Sequence, residues 1–355
     1  MMKQIILISA CLSLVACGDG SSSGGGSPTN PPANNIRGIN YDPAHSAAYL
    51  SGQQQNDANG LNEMRQSIDS DLEQISSLGF NVVKTYYSQY CNGVGCINIA
   101  DEVAKVPNLK LAIGVFEFSQ QNGGEPRSYT LDQMTAVITA VNKYPNEIVA
   151  IIVGNEDVTD TDSLGNSIGN DIINDINAIK TSISGSNVPI GTSQTQNTWM
   201  NPGVLPNGFL NALTLVGANI YPFFGGTSNG IAAANSITAS VAQITSTLKS
   251  SGYNGKIVVT EEGFASSGTA ANTYPSLQNE NNYYLTWKNR SDSFDSYYFS
   301  MYDLVPGSEF SIDNPNNYFG LCNENGKTKL ISMMNCGCRS ACKIDPLKVK
   351  IRAQN

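Results

Sequence analysis

The chain has 355 residues, of which 20 are Lys or Arg and 29 are Asp or Glu, for a formal net charge of −9. That length can bury a sizeable core, and the acidic balance excludes the basic stripe with which nucleic-acid binders neutralise phosphates. The single histidine, His45, excludes multi-histidine metal sites and leaves one imidazole for any triad, so chemistry falls to carboxylates, hydroxyls and amides, with no metal or cofactor expected.

The first residues read as a targeting signal. Lys3 precedes an apolar run from Ile5 to Val15 that is too short for a stable bilayer span. The run ends in Leu14-Val15-Ala16-Cys17, which resembles the lipobox of bacterial lipoproteins, with Cys17 as the acylated residue; a plain signal peptide is the alternative. Residues 18–35, rich in Gly, Ser, Pro and Asn, bury nothing and read as a tether. An exported lipoprotein held at the outer membrane or cell surface is the expectation.

Cys11 leaves with the signal, and Cys17 takes the lipid. Cys91, Cys96, Cys322, Cys336, Cys338 and Cys342 remain as disulfide candidates in an oxidising compartment. Cys91 and Cys96 are close enough to staple one local loop, while the last four allow three pairings.

From Ile36 onward strand and helix alternate. Short β-rich runs recur at Ile36–Tyr41, Asn81–Tyr86, Lys110–Phe116, Ile148–Val153, Val188–Ser193, Leu215–Tyr221, Lys256–Thr260 and Asp295–Tyr302. Between them lie stretches with helical spacing, among them Leu61–Leu78, Leu131–Lys143, Asp171–Ser182 and Ile237–Ser250. Eight such runs predict one (β/α)₈ barrel over 36–340, with a tail at 341–355. A doubly wound sheet would carry a glycine-rich phosphate turn, and Gly38-Ile39-Asn40-Tyr41 is not one.

Function in such barrels sits at the C-terminal strand ends. The fourth run ends in Gly154-Asn155-Glu156 and the seventh in Thr260-Glu261-Glu262-Gly263. Two carboxylates facing each other across a barrel mouth form the constellation for glycoside cleavage. Neighbouring side chains on a strand point to opposite faces, so only one of Glu261 and Glu262 can face the cleft. Aromatics at other strand ends, Tyr86, Tyr87, Tyr221, Phe223 and Phe224, suit either stacking on sugar rings or core packing. Trp199 and Trp287 are divided in the same way, His45 reads as a surface or cleft hydrogen-bonder, and Glu117 and Glu125 as loop carboxylates.

Taken together with Asn219-Ile220-Tyr221-Pro222, Tyr298-Phe299-Ser300-Met301-Tyr302-Asp303 and Tyr318-Phe319-Gly320-Leu321, these motifs resemble glycoside hydrolase family 17 in the same order along the chain. The resemblance implies a retaining (β/α)₈ β-1,3-glucanase or β-1,3-glucan transglycosylase. It also implies Glu156 as acid/base, Glu261 as nucleophile, Asn155 on the sugar 2-hydroxyl and Tyr221 on the nucleophile. Among the strand-end aromatics, Tyr86 and Phe224 are the expected substrate contacts. Lys84 stands where the family commonly has Arg, and Phe264-Ala265 replaces an aromatic-Pro pair. The expected partner is a β-glucan, with the membrane held through Cys17, and the protein is expected to be a monomer. A non-catalytic glucan-binding lipoprotein is the alternative.

Overall fold

The computed structural model describes residues 35–118, 127–161 and 165–330. The lipobox Cys17, the segment 1–34, Glu125, Cys336, Cys338, Cys342 and the tail 341–355 lie outside the described residues. In chain order the described elements are β1 (Arg37–Asn40), α1 (Ala47–Gln54), α2 (Ala58–Ser77), β2 (Val82–Lys84), β3 (Gln89–Asn92), β4 (Gly95–Asn98), α3 (Ile99–Val103), β5 (Lys110–Val115) and α4 (Arg127–Lys143). Then follow β6 (Ile148–Asn155), α5 (Ile168–Ser182), β7 (Ile190–Thr195), α6 (Gln196–Met200), α7 (Phe209–Ala212), β8 (Leu215–Asn219), α8 (Gly230–Ser250), β9 (Lys256–Glu262), α9 (Leu277–Asn289) and β10 (Ser296–Tyr298).

Eight strands close into a parallel barrel in the order β1-β10-β9-β8-β7-β6-β5-β2, and β3-β4 forms a separate antiparallel hairpin. The expected barrel is therefore the observed one. Its strands are covered on both faces, which is why they read as near-continuous apolar runs such as the Ile148–Val153 part of β6. Inward residues Val82, Ala112, Ala150, Ile152, Leu215, Val258 and Tyr297 plug the barrel interior. Their outward neighbours, such as Ile113, Ile151 and Val259, meet the helices in the larger core. Helix α2 shows how that outer layer is built. Asp57 caps it by accepting from Gly60 N, and Met64, Ile68, Leu72 and Ile75 form its buried stripe.

Both tryptophans belong to this packing. Trp199 is fully buried and donates from Nε1 to Gly217 O at 2.7 Å, while Trp287 donates to Ser296 Oγ at 2.7 Å. His45 is a buried hydrogen-bonder on the wall of the cleft at the barrel mouth, not a surface residue. Its ring stacks on Tyr302 at 3.8 Å, and its Nε2 lies 2.9 Å from Asp71 Oδ2.

Cys91 and Cys96 face each other across the β3-β4 hairpin and form a disulfide. Cys322 is buried and has no disulfide partner among the described residues; Cys336, Cys338 and Cys342 lie outside them. It sits in the core with Thr328 Oγ1 at 3.9 Å and Gln74 Nε2 at 4.0 Å. Burial pushes this thiol up to about 11 against the opposing pull of the Thr328 hydrogen bond and the Lys329 charge, which leaves it protonated at neutral pH. No described helix is long and apolar enough to cross a membrane.

Candidate active site

The two carboxylate-bearing strands share a device. On β9 the ladder to β8 runs from Ala218↔Val259 to Asn219↔Glu261, so β9 carries one extra residue at Thr260. The ladder to β10 confirms it, stepping from Ser296↔Val259 to Tyr298↔Glu262. On β6 the pairing with β7 runs from Ile152↔Gly191 to Asn155↔Ser193, again one residue in excess. Such bulges interrupt alternation and re-aim the side chains after them. On β9 the consequence is that Thr260 and Glu261 both point inward, and Glu262 points out to the helix layer.

Glu261 accepts from three donors. Tyr86 Oη reaches its Oε1 at 2.7 Å, Tyr221 Oη its Oε2 at 2.8 Å, and Lys84 Nζ its Oε1 at 3.3 Å. Lys84 is itself buried at the end of β2, donates to Asn40 Oδ1 at 2.9 Å and lies 4.1 Å from the centre of the Tyr86 ring. Burial lowers its pKa, and the Glu261 charge acts against that. Burial, reinforced by the Glu261 charge, holds both tyrosines well above the usual phenol range, so they stay protonated donors. Tyr86 is where it is because Gly114 of β5 has no side chain: a Cβ there would lie 2.3 Å from Tyr86 O.

Glu156 leaves the end of β6 through a left-handed pair. Gly154 has φ of 74° and Glu156 φ of 59°, the latter a conformation costing a non-glycine residue roughly 1–3 kcal/mol. At residue 154 a Cβ would approach Asp157 Oδ1 to 2.7 Å, which explains the glycine. Asn219 Nδ2 donates to Glu156 Oε1 at 2.8 Å and to Asn155 Oδ1 at 3.2 Å. Its own Oδ1 accepts from Ser193 Oγ at 2.7 Å and Thr260 Oγ1 at 2.9 Å, which fixes the amide's orientation. Glu156 is exposed along the open cleft, but its carboxyl group is set low among protein atoms. That loss of solvent, with the nearby Glu261 charge, pushes its pKa up to about 7.

Asn155, Glu156, Glu261, Tyr86, Tyr221 and Phe224 all line one cavity of about 1210 Å³ at the C-terminal mouth of the barrel. A volume of that size exceeds the usual small-ligand pocket and suits a chain of several rings. Phe224 stands 47% exposed at its edge, whereas Phe223 is core. Glu117 does not join the cleft: it is buried and paired with Arg127 Nη1 at 2.8 Å. Phe264, in the position of the altered aromatic-Pro pair, is fully buried. Glu262 is also buried, held by Arg290 through two bonds of 2.7 and 2.9 Å and by Tyr283 Oη at 2.9 Å. Among the described residues no group of His, Cys, Asp and Glu is arranged to hold a metal ion.

A family profile for the BtgE/BtgC glycoside hydrolase domain matches residues 38–320. The chain belongs to this glycoside hydrolase family. The BtgE/BtgC barrel also resembles solved structures. An endo-laminarinase from Formosa Hel1_33_131 superposes with a TM-score of 0.66, at 15% identity over 85% of this chain and 87% of that one. The β-1,3-glucanosyltransferase of Rhizomucor miehei, solved as an active-site mutant with laminaritriose, gives 0.58 at 17% identity over 83% and 96%. Another structure of that enzyme is described as glycoside hydrolase family 17. CJP38, a β-1,3-glucanase and allergen of Cryptomeria japonica pollen, gives 0.56 at 16% identity over 84% and 98%. At these identities the likeness is one of fold. No curated protein matches the chain in sequence.

Asn219 and Lys84 are the site residues that sequence reasoning did not single out for a role. Asn219 lies inside the Asn219-Ile220-Tyr221-Pro222 motif, two positions before the end of its β run, and Lys84 enters the sequence reading only as a departure from the family pattern. A buried lysine at a strand end, in a protein with so few charges, was the available signal.

Proposed function

We propose that this glycoside hydrolase cleaves β-1,3-glucan with retention, as an endo-acting β-1,3-glucanase. The observation that carries the reading is the pairing of Glu261, gripped by Lys84, Tyr86 and Tyr221, with a second carboxyl, Glu156, whose pKa of about 7 keeps it protonated in mildly acidic solution.

In the first step Glu156 gives its proton to the glycosidic oxygen. A Glu261 oxygen attacks the anomeric carbon, the carbon–oxygen bond breaks, and the leaving chain departs as an alcohol. A glycosyl ester on Glu261 remains. Its formation removes the negative charge that raised Glu156, so the deprotonated Glu156 can act as base. It takes a proton from water, whose oxygen attacks the anomeric carbon and releases Glu261 as carboxylate. Asn155, beside Glu156 and bonded to Asn219, is placed to meet the sugar 2-hydroxyl.

Transfer to a sugar hydroxyl shares the ester intermediate, and the glucanosyltransferase-like fold supports it as the second reading. Purified protein with laminari-oligosaccharides separates the possibilities. Shorter products are expected; longer ones mean transfer, and no change means a non-catalytic binding protein.

The same proposal places the enzyme at a membrane through acylated Cys17, on the outer membrane or cell surface, with a β-glucan as partner. The Leu14-Val15-Ala16-Cys17 motif and the tether after it support this. Labelled palmitate is expected to enter the wild-type protein and not Cys17→Ser; absence of label from wild type overturns the anchor.

A further inference from the structure

The cleft has a second aromatic wall, a ring cluster separate from that of Tyr221, Phe224 and Phe319. Tyr87, after β2, stacks on Phe116, after β5, with centroids 4.7 Å apart and planes 12° from parallel. Phe118 follows at 5.0 Å and Tyr129, in the first turn of α4, at 5.5 Å from Phe118. All four line the cavity that holds Glu156 and Glu261. They are not core: Tyr129 is 48% exposed and the other three are half-buried. A contiguous run of open aromatic surface inside a cleft is a binding feature, since packing alone would have covered it.

The wall is also held in place. Thr130 Oγ1 accepts from Phe118 N at 3.1 Å and donates to Phe116 O at 3.2 Å. Gln133 Oε1 accepts from Ser88 N at 2.6 Å, and its Nε2 donates to Gln89 O at 3.1 Å. One helix, α4, therefore clamps both loops that carry the rings, so they meet a ligand without first being ordered.

We propose that Tyr87, Phe116, Phe118 and Tyr129 form an outlying sugar-binding subsite that holds a glucose unit of the β-glucan away from the bond being cleaved. The occupant follows from the cavity's continuity with the carboxylate pair and from chemistry. A β-glucopyranose ring carries axial C–H groups on both faces, and these lie flat on an aromatic ring while the equatorial hydroxyls point aside to water. The inference rests on the β-glucanase reading and adds to it a preference for longer chains.

The test measures kcat/KM on laminari-oligosaccharides of increasing length for wild type, Tyr129→Ala and Phe118→Ala. Tyr129 is surface-exposed, so its replacement leaves the core intact. Wild type is expected to gain efficiency with length. Each variant is expected to cut the ratio between the longest and shortest substrates by about five- to tenfold, the worth of one aromatic contact. A ratio equal to wild type's overturns the subsite while leaving the β-glucanase standing. So does an equal loss at every length, which would mean the wall only supports the carboxylates. If wild type cleaves none of these substrates, the β-glucanase reading itself fails, before any variant is compared, and the subsite falls with it.

Discussion

Glu261 and Glu262 are neighbours on β9 with opposite fates: Glu261 turns into the cleft towards Tyr86 and Tyr221, and Glu262 turns out to Arg290. Plain alternation from the inward Val258 would have sent Glu262 inward and Glu261 outward. The extra residue at Thr260 reverses that.

The two glutamates should therefore fail differently. Glu261→Ala is expected to fold normally and to lose turnover. Azide should restore it on an activated β-glucoside and give the inverted α-azide. Glu262→Ala removes one of the two carboxylates on buried Arg290, leaving Asp292 at 2.8 Å, a loss of about 1–3 kcal/mol, visible as a lowered melting temperature. If azide rescue appears with Glu262→Ala instead, the assignment of the nucleophile is wrong by one position.

On the proposed mechanism Glu156 sets the alkaline limb of activity. It must be protonated in the free enzyme, and its pKa is about 7, so kcat/KM should fall as pH rises through that value. The same shift opposes folding. A carboxyl raised above its unfolded value costs nothing below that value, and its penalty grows as pH rises through the folded pKa. Glu156→Gln should therefore melt higher than wild type at pH 8, with the difference shrinking by pH 4. An equal melting difference at both pH values would remove the argument.

Lys84 acts on both carboxylates through one charge. Lys84→Met leaves Glu261 without a buried cation and is expected to lower kcat by about 10- to 100-fold, the cost of an uncompensated buried polar group. Because Lys84 also pulls the Glu156 pKa down, the alkaline limb should move to higher pH in this variant. Lys84→Arg keeps the charge and should hold the limb near its wild-type position. A pH profile of Lys84→Met that superposes on wild type contradicts this role.

The hairpin disulfide closes a short loop, Cys91 to Cys96. Its removal in Cys91→Ser/Cys96→Ser should cost roughly 2 kcal/mol by loop entropy. Thermal melts of wild type with and without reductant should show a difference of the same sign; identical melts would show that the hairpin is held by packing alone.

The barrel was legible because strands such as β5, β6 and β9, buried on both faces, read as apolar runs at regular intervals, whereas β7, IGTSQT, was weaker. The hairpin was not legible, since Gln89–Asn92 and Gly95–Asn98 mix polar and small residues over four positions each. Helix α9 escaped for a related reason: its Asn-rich stretch, Leu277–Asn289, buries Tyr283, Tyr284 and Trp287 rather than aliphatic residues. At the site, residue identity pointed to Glu156 and Glu261, but their orientation depends on two bulges that leave no mark in the sequence. Asn219 was hidden for the same reason, because its role exists only where four consecutive strands end together.

The seam where the barrel closes has a geometric consequence. Ile36 N donates to Asp295 Oδ1 at 2.8 Å, just ahead of β10, while Asn40, at the other end of β1, donates to Tyr298 O at 3.2 Å beside the carboxylates. The chain thus enters the barrel at the rim opposite the cleft. The cleft and the N-terminal end of β1 lie at opposite ends of the barrel, so a pull on Asn35 bears on the β1–β10 seam away from the carboxylates.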